Sequence, residues 1–212
     1  MESLTNTSSQ SNELPAVPAS DATDYGNTIS DVKYQNLVSQ LNPHFLFNSL
    51  ATLESLIYSD QRLAVKFLSQ LTRVYRYILT TRTTPLVKLS AEINFIKDYA
   101  DLLQTRFGKG LQVIINVSAK TNEKQIVPAV LQILVENATR HNITDPESPL
   151  IVTINTIEDQ LIIENNLQKK QILEPQRKEA LKSLCNLYTY FSPVCIEIQE
   201  TPETFKVILP LI

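Results

Sequence analysis

The sequence predicts an α+β protein in which a helical hairpin precedes a layer of helices on a sheet. Two observations indicate this class. From about residue 31 to residue 103, apolar side chains recur at the 3.6-residue period of amphipathic helices. After Gly108-Lys109-Gly110, the pattern changes to short alternating runs that are typical of strands, with helical segments between them. A mixture of this kind favours helices packed on one sheet.

The N-terminal residues 1–30 differ in composition from the rest of the chain. They are rich in Ser, Thr, Asn and Pro and show no apolar period, which predicts a disordered tail. Order is expected to begin at Ser30 or Asp31, because either side chain can accept a hydrogen bond from the first turn of a helix.

Residues 31–84 are predicted to form the hairpin. The first helix reaches Ile57 and should bend at Pro43, since proline lacks an amide donor and clashes with the carbonyl group four residues earlier. The second helix follows Ser59-Asp60 and continues to about Thr81. Both apolar faces are wider than one hairpin can bury alone, so we expect self-association into a dimeric four-helix bundle.

A third helix is expected to begin with Ser90 as its cap and to end near Gly108, because glycine favours helix ends. The elements predicted after it are a strand at 111–117, a helix opened by Pro128, a hairpin of strands at 151–154 and 161–163, a helix at 176–190, and two closing strands at 194–198 and 205–209.

Composition excludes several classes of function. The 212 residues are 43% hydrophobic and 19% charged, which is enough for one or two domains with real cores. A net charge of −3, with basic residues scattered along the chain, argues against nucleic acid as a partner. No apolar run can cross a bilayer and no leader is visible, so a cytoplasmic protein, or the cytosolic part of a membrane sensor, is expected. Cys185 and Cys195 are predicted to be reduced core thiols, and no residue set has the spacing of a zinc site.

Four motifs occur in series along the chain: "NPHFLFNSL", "LSQLTRVYRYIL", "DLLQTRF" and "VPAVLQILVENATRH". Together they resemble the core of the LytS/YehU-type sensor histidine kinases, from about Tyr34 to the end of the chain. The closing "FKVILPLI" is similar to the end of that family's ATP-binding domain. The resemblance implies a dimerisation and phosphoacceptor hairpin, followed over residues 85–212 by an ATP-binding sandwich of the gyrase, chaperone and histidine kinase (GHKL or Bergerat) type.

His44 acquires a role from this resemblance. A lone histidine on an apolar helix is more often structural, but the matching residue of the family is the one that is phosphorylated. The chemistry is compatible, because a neutral imidazole nitrogen is a competent nucleophile. Asn48 lies one helical turn later and could orient the ring.

The letters "ENATRH" resemble the N-box of the family. The resemblance implies that Asn137 holds the Mg²⁺ ion bridging the ATP phosphates and that Glu136 assists the accepting histidine. Arg140 or His141 would then face phosphate. The spacing is compatible, since Asn137 and Arg140 or His141 share one helix face. Without the resemblance, such a face would usually be solvated.

The remaining nucleotide contacts are in doubt because no glycine follows Gly110. The family places glycines under the adenine and in the lid, where the backbone must approach phosphates. Asn165 and Asn166 stand at the adenine position and could pair with its edge. Residues 176–184 stand at the lid, with Lys178 and Ala180 at the glycine positions and Lys182 as a candidate cofactor contact. We therefore expect weak or absent ATP binding.

Three hypotheses about function remain open. The first is a histidine kinase that uses Mg-ATP to phosphorylate His44 and then transfers the phosphoryl group to a response-regulator receiver domain. The second is a non-catalytic module that forms a homodimer, or a heterodimer with a related kinase, and modulates its partner. The third is a hybrid in which a partner kinase phosphorylates His44. The basic residues near the lid are expected to be a solvated face: Lys169, Lys170, Arg177 and Lys178.

Overall fold

The structure is a computed structural model that describes residues 43–170 and 176–212. The expected tail at residues 1–30 and the expected helix start at Ser30 or Asp31 lie outside the described residues. So does the part of the first helix that would precede the bend at Pro43.

Three helices form the N-terminal part of the described chain. They are α1 (Pro43–Ser59), α2 (Gln61–Thr81) and α3 (Leu89–Phe107). Asp60 caps α2, since its Oδ1 accepts the N–H of Leu63 at 3.0 Å. The helical hairpin with a turn at Ser59-Asp60 is confirmed.

The start of α3 differs from the prediction. Ser90 lies inside the first turn instead of capping it, and the preceding Lys88 makes no side-chain cap. The first-turn amides are satisfied by distant backbone: Leu89 N–H donates to the Lys124 carbonyl at 2.7 Å, and Ser90 N–H donates to the Asn122 carbonyl at 3.1 Å. The predicted cap is wrong because a tertiary contact replaces the local one.

Two glycines shape the passage from α3 into the sheet. Gly108 ends α3 with φ +56°, in the left-handed region that favours glycine. At Gly110, an added Cβ would lie 2.7 Å from the carbonyl oxygen of Thr144, so the close backbone approach excludes a side chain.

A five-stranded sheet forms the second half of the chain. Its strands are β2 (Leu111–Asn116), β4 (Leu150–Ile157), β5 (Gln160–Asn166), β6 (Glu197–Glu200) and β7 (Thr204–Pro210). Their spatial order is β2-β4-β5-β7-β6; β2 and β4 are parallel and the other pairs are antiparallel. The chain passes between the two parallel strands through α4 (Val130–His141), as parallel pairing requires. The α+β class is confirmed. The remaining elements are a small β1–β3 ladder (Val87–Lys88 and Gln125–Ile126) and α5 (Gln176–Tyr188).

One face of the sheet belongs to the hydrophobic core. Alternate residues of the central strands are buried, which is the pattern of a sheet covered on one side. Helix α4 contributes Leu131, Leu134 and Val135 to the same core. The buried strand residues are Leu150, Val152, Ile154, Leu161, Ile163, Phe205, Val207 and Leu209.

Helix α3 also packs along α2, so the hairpin and the sheet region share one core. Arg73 on α2 makes two 2.7 Å hydrogen bonds to Asp98, and the Gln70 amide donates to Asp101 at 2.7 Å. Part of the apolar hairpin face is therefore buried within the chain, including Phe67, Leu71, Val74 and Ile78. What remains exposed is the outer hairpin face, defined as Phe47, Leu50, Ile57, Val65, Leu68 and Leu79.

Candidate functional site

The first turn of α1 lies against two tyrosines of the neighbouring helices. Phe45, which directly follows His44, is buried, and its ring centroid lies 4.9 Å from that of Tyr99 on α3 and 6.4 Å from that of Tyr75 on α2. The His44 backbone belongs to α1, while its side chain is outside the described part of the structure. The position of Phe45 nevertheless places the start of α1 beside this tyrosine pair.

The same two tyrosines adjoin α4. Burial raises the pKa of Tyr75 to about 12, and the nearby Glu136 charge acts in the same direction. Burial and then Glu136 also raise the pKa of Tyr99, while Arg106 and Arg140 act to lower it. Glu136 therefore lies within electrostatic range of both tyrosines, and Arg140 within range of Tyr99.

Within α4, Glu136 and Arg140 interact with each other. Arg140 Nη2 lies 2.8 Å from Glu136 Oε1, one helical turn away. The arginine is exposed and the glutamate is half-buried, so the pair contributes only about 0.3–0.5 kcal/mol. The ion pair matters more for the chemistry of the site than for stability, because the Arg140 cation that is expected to face phosphate is already paired with the Glu136 carboxylate. Asn137, the candidate magnesium ligand, is half-buried beside this pair.

The C-terminal end of α4 binds the segment that leads toward α5. The Lys170 ammonium group donates to the carbonyls of Thr139 and Arg140 at 3.0 and 3.2 Å, and Lys170 N–H donates to the His141 carbonyl at 3.0 Å. Burial and the proximity of Arg106 lower the pKa of Lys170. A cation is favourable at the carbonyl end of a helix.

Lys170 was expected to belong to a solvated face, and this expectation is wrong because its charge satisfies those carbonyl groups. Lys169 is exposed and paired with Glu200. The side chains of Arg177 and Lys178 lie outside the described part of the structure.

Asn165 and Asn166 are held by backbone groups of their surroundings. Asn166 Oδ1 accepts the N–H of Ile151 at 2.8 Å, and its Nδ2 donates to the Pro149 carbonyl at 3.0 Å. The buried Asn165 donates to the carbonyl of Asn166 at 2.6 Å. Pairing with an adenine edge would require Asn166 to exchange these bonds, and that role stays a prediction.

The segment at the lid position is a regular helix. Leu181, Leu184 and Leu187 of α5 are buried, whereas Lys182 is exposed. A regular helix carries no glycine-lined concavity, so these residues do not fit the close backbone approach that ATP phosphates need. Among residues 43–170 and 176–212, no group of three His, Cys, Asp or Glu side chains could hold a metal ion.

Glu92 on α3 is a buried acidic group that none of the sequence motifs identifies. Its side chain is fully buried and accepts hydrogen bonds from the Tyr77 hydroxyl and from the N–H groups of Ala129 and Leu131. Burial, the largest effect, raises the pKa of Glu92 to about 7, whereas the three hydrogen bonds act to lower it. The signal in the sequence was a glutamate in the apolar stripe of Leu89, Ile93, Ile96 and Tyr99.

Comparison with known proteins gives a consistent set of relatives. The family model described as "Histidine kinase" matches residues 32–111. The chain is 34% identical over 131 residues to "Sensor protein LytS" of Bacillus subtilis (strain 168), covering 62% of this chain and 22% of that protein. It is 31% identical over 154 residues to the LytS protein of Bacillus cereus, covering 72% and 26%. It is also 34% identical over 126 residues to "Sensor protein kinase HptS" of Staphylococcus aureus (strain USA300), covering 59% and 24%. The chain thus spans about a quarter of the length of these relatives.

Solved structures that match this chain include the histidine kinase AdeS of Acinetobacter baumannii. The two share 12% identity at a TM-score of 0.41, over 90% of this chain and 97% of that one. A histidine kinase from Burkholderia phymatum shares 15% identity at a TM-score of 0.41, over 92% and 99%. None of the helices described here has the length and apolar character needed to span a membrane.

Proposed function

Because this chain belongs to the histidine kinase family, as a relative of the LytS-type sensor proteins, we propose that it is a two-component signalling protein in which His44 accepts a phosphoryl group. The observation that supports this proposal is the convergence around Tyr99. Phe45 of α1 packs on that ring, and Glu136 and Arg140 of α4 act on it electrostatically.

The chemistry at His44 needs a nucleophile and a group that assists it. The neutral imidazole nitrogen attacks phosphorus with its lone pair, so an N–P bond forms and the bond from phosphorus to the donor's bridging oxygen breaks. The ring becomes positively charged as it reacts. Glu136, the assisting glutamate that the family resemblance implies, is proposed to accept a hydrogen bond from the other ring nitrogen. Asn48, one turn beyond His44 and half-buried, is proposed to orient the ring.

Histidine kinases generally bind ATP with Mg²⁺. For this chain we propose weak or absent binding, with Asn137 as the metal ligand and Arg140, His141 and Lys182 as phosphate contacts if nucleotide binds. The helical α5 segment supports weak binding, because it carries side chains where a phosphate cradle requires glycines. The phosphoryl donor for His44 is then a related kinase whose own nucleotide site is complete.

The partners follow from the same proposal. The outer hairpin face is apolar and exposed over two helices, which supports dimerisation with a second copy or with a related kinase. From His44, the phosphoryl group would pass to the aspartate of a response-regulator receiver domain. A cytoplasmic location stays a prediction.

A second candidate function is a non-catalytic module that dimerises through the hairpin and modulates a partner kinase or receiver domain. The specific observation in its favour is the ion pair between Glu136 and Arg140, which engages both the candidate assisting carboxylate and the candidate phosphate contact.

Labelling with radioactive ATP distinguishes these functions. The chain is incubated with labelled Mg-ATP, alone and beside an active kinase of the family, and wild type is compared with His44→Gln and Asn137→Ala. Label on His44 only beside the active kinase, unaffected by Asn137→Ala, is the expected result. Label without the second kinase would make the chain a complete kinase. Absence of label in both arms would leave the non-catalytic module.

A further inference from the structure

Glu92 occupies the place where the hairpin meets the helix that carries Glu136 and Asn137. The first amides of an α-helix have no partner within the helix. Here Glu92 Oε1 accepts the N–H of Leu131 at 3.0 Å, and Oε2 accepts the N–H of Ala129 at 2.9 Å. A carboxylate from α3 therefore caps the start of α4.

The backbone at this cap is unusual. Ala129 has φ +60° and ψ 10°, the left-handed conformation that a residue with a Cβ rarely adopts. Such a conformation persists only when its surroundings over-determine it. The bonds from Glu92 to the amides of Ala129 and Leu131 provide this constraint, because they bracket the start of the helix.

The third donor comes from the hairpin. The Tyr77 hydroxyl of α2 donates to Glu92 Oε2 at 2.6 Å. Its ring stacks on Phe95 of α3, with centroids 4.2 Å apart and an interplanar angle of 16°. The ring stack fixes the direction of the hydroxyl, so a shift of α2 along α3 would withdraw this donor from a fully buried carboxylate.

We propose that Glu92 is a positioning residue that joins the hairpin to the start of α4 and thereby sets where Glu136 stands relative to His44. Its functional meaning rests on the proposed function. Helix α4 is one continuous helix from Val130 to His141, so the orientation of its first turn determines that of the Glu136 side chain two turns later. Hairpin movement would reach the phosphoacceptor site through the pair Tyr77–Glu92.

Hydrogen exchange of the whole chain tests the connection. The substitution Tyr77→Phe keeps the ring stack and removes only the hydroxyl. Protection factors correct the observed exchange rate for the intrinsic rate of each amide. At the amides of Ala129 and Leu131, they should fall on the order of tenfold at neutral pH. Their pH midpoint should move upward, because the carboxylate loses a donor that favours its ionised form. Tyr58→Phe is the matched control, since Tyr58 is exposed on α1, and it should change neither quantity.

Two further readouts decide the positioning role. Glu92→Gln should abolish the pH dependence of these protection factors. The rate of His44 labelling should fall in Tyr77→Phe with an unchanged KM for the phosphoryl donor. The groups that face Glu92 are the Tyr77 hydroxyl, the two amides and Tyr188. Burial, the larger effect, and the Glu92 charge both raise the pKa of Tyr188.

Unchanged protection in Tyr77→Phe would overturn the connection between hairpin and α4. Lower protection with an unchanged labelling rate would overturn the positioning role and leave Glu92 a purely structural residue. Absence of label on wild-type His44 would overturn the proposed function, whereas the protection factors would still decide whether Glu92 joins the hairpin to α4.

Discussion

The Tyr77 hydroxyl donates a 2.6 Å hydrogen bond to the Glu92 carboxylate, which joins the second hairpin helix to a helix of the sheet region. The same carboxylate accepts two backbone amides of α4. Three segments that are distant in sequence therefore meet at one buried acid. Their mutual placement depends on its charge and on its hydrogen-bond donors.

The protonation of Glu92 should make stability depend on pH. Its pKa is about 7 in the folded chain and about 4.5 by the reference value, so the folded state binds the proton more tightly. The stability from this group is fully present below pH 4.5 and is lost as pH rises through 7. The free energy of unfolding is measured in urea at pH 5 and pH 8. The value for wild type minus the value for Glu92→Gln should be larger at pH 5 than at pH 8. An equal advantage at both values would contradict the prediction.

Two phenylalanines close together on α1 should behave differently. Phe45→Ala removes a ring that is buried on Tyr99, so we expect a loss of up to about 3–5 kcal/mol in the free energy of unfolding. Phe47 is 68% exposed, and Phe47→Ala should change stability by only about 0.5 kcal/mol when measured on the monomer. Denaturant titration at low protein concentration checks both values. Equal losses would contradict the assigned burial of Phe45.

The outer hairpin face should control self-association. Leu50→Glu combined with Leu68→Glu places charges on two exposed apolar positions, so a dimer formed there should dissociate. Sedimentation velocity of wild type and variant at matched concentrations measures the change. Ile157→Glu is the control, because Ile157 is similarly exposed but lies at the end of β4. A wild-type monomer at high concentration would refute the dimer.

Nucleotide affinity should be low. Calorimetric titration with Mg-ATP is expected to show no micromolar binding, because α5 is helical through the lid position and carries no glycine. Asn137→Ala should leave the titration unchanged. Micromolar binding that this substitution abolishes would show that α4 holds the metal and nucleotide despite the helical segment.

Local patterns in the sequence were enough to predict most of the helices and strands. Asp60 capped α2 at the expected turn, and the 3.6-residue period gave α2 and α3 to within a few residues. The failures are long-range. Ser90 did not cap α3 because Lys124 and Asn122 satisfy its first amides, and Lys170 did not remain solvated because the end of α4 lies beside it. Neither contact leaves a trace in neighbouring residues.

The candidate site was predictable only in part. The resemblance marked Glu136 and Asn137, and in the structure Tyr99 both contacts Phe45 of α1 and lies within electrostatic range of Glu136. Glu92 was missed because helical periodicity identifies apolar positions and gives no information about a single acidic residue among them. The capping role of Glu92 depends on the amides of Ala129 and Leu131, which lie far along the chain from it.

The parallel pairing of β2 with β4 also affects how the chain is made. Residues 111–116 can find their neighbour only after residues 150–157 have left the ribosome, whereas α1 contacts α2, and α2 contacts α3, over shorter sequence separations. Synthesis from the N-terminus thus exposes the unpaired first strand of the sheet while the helices are already free to collapse. During that interval, β2 presents unpaired backbone groups, which favours pairing with the strand edge of another polypeptide.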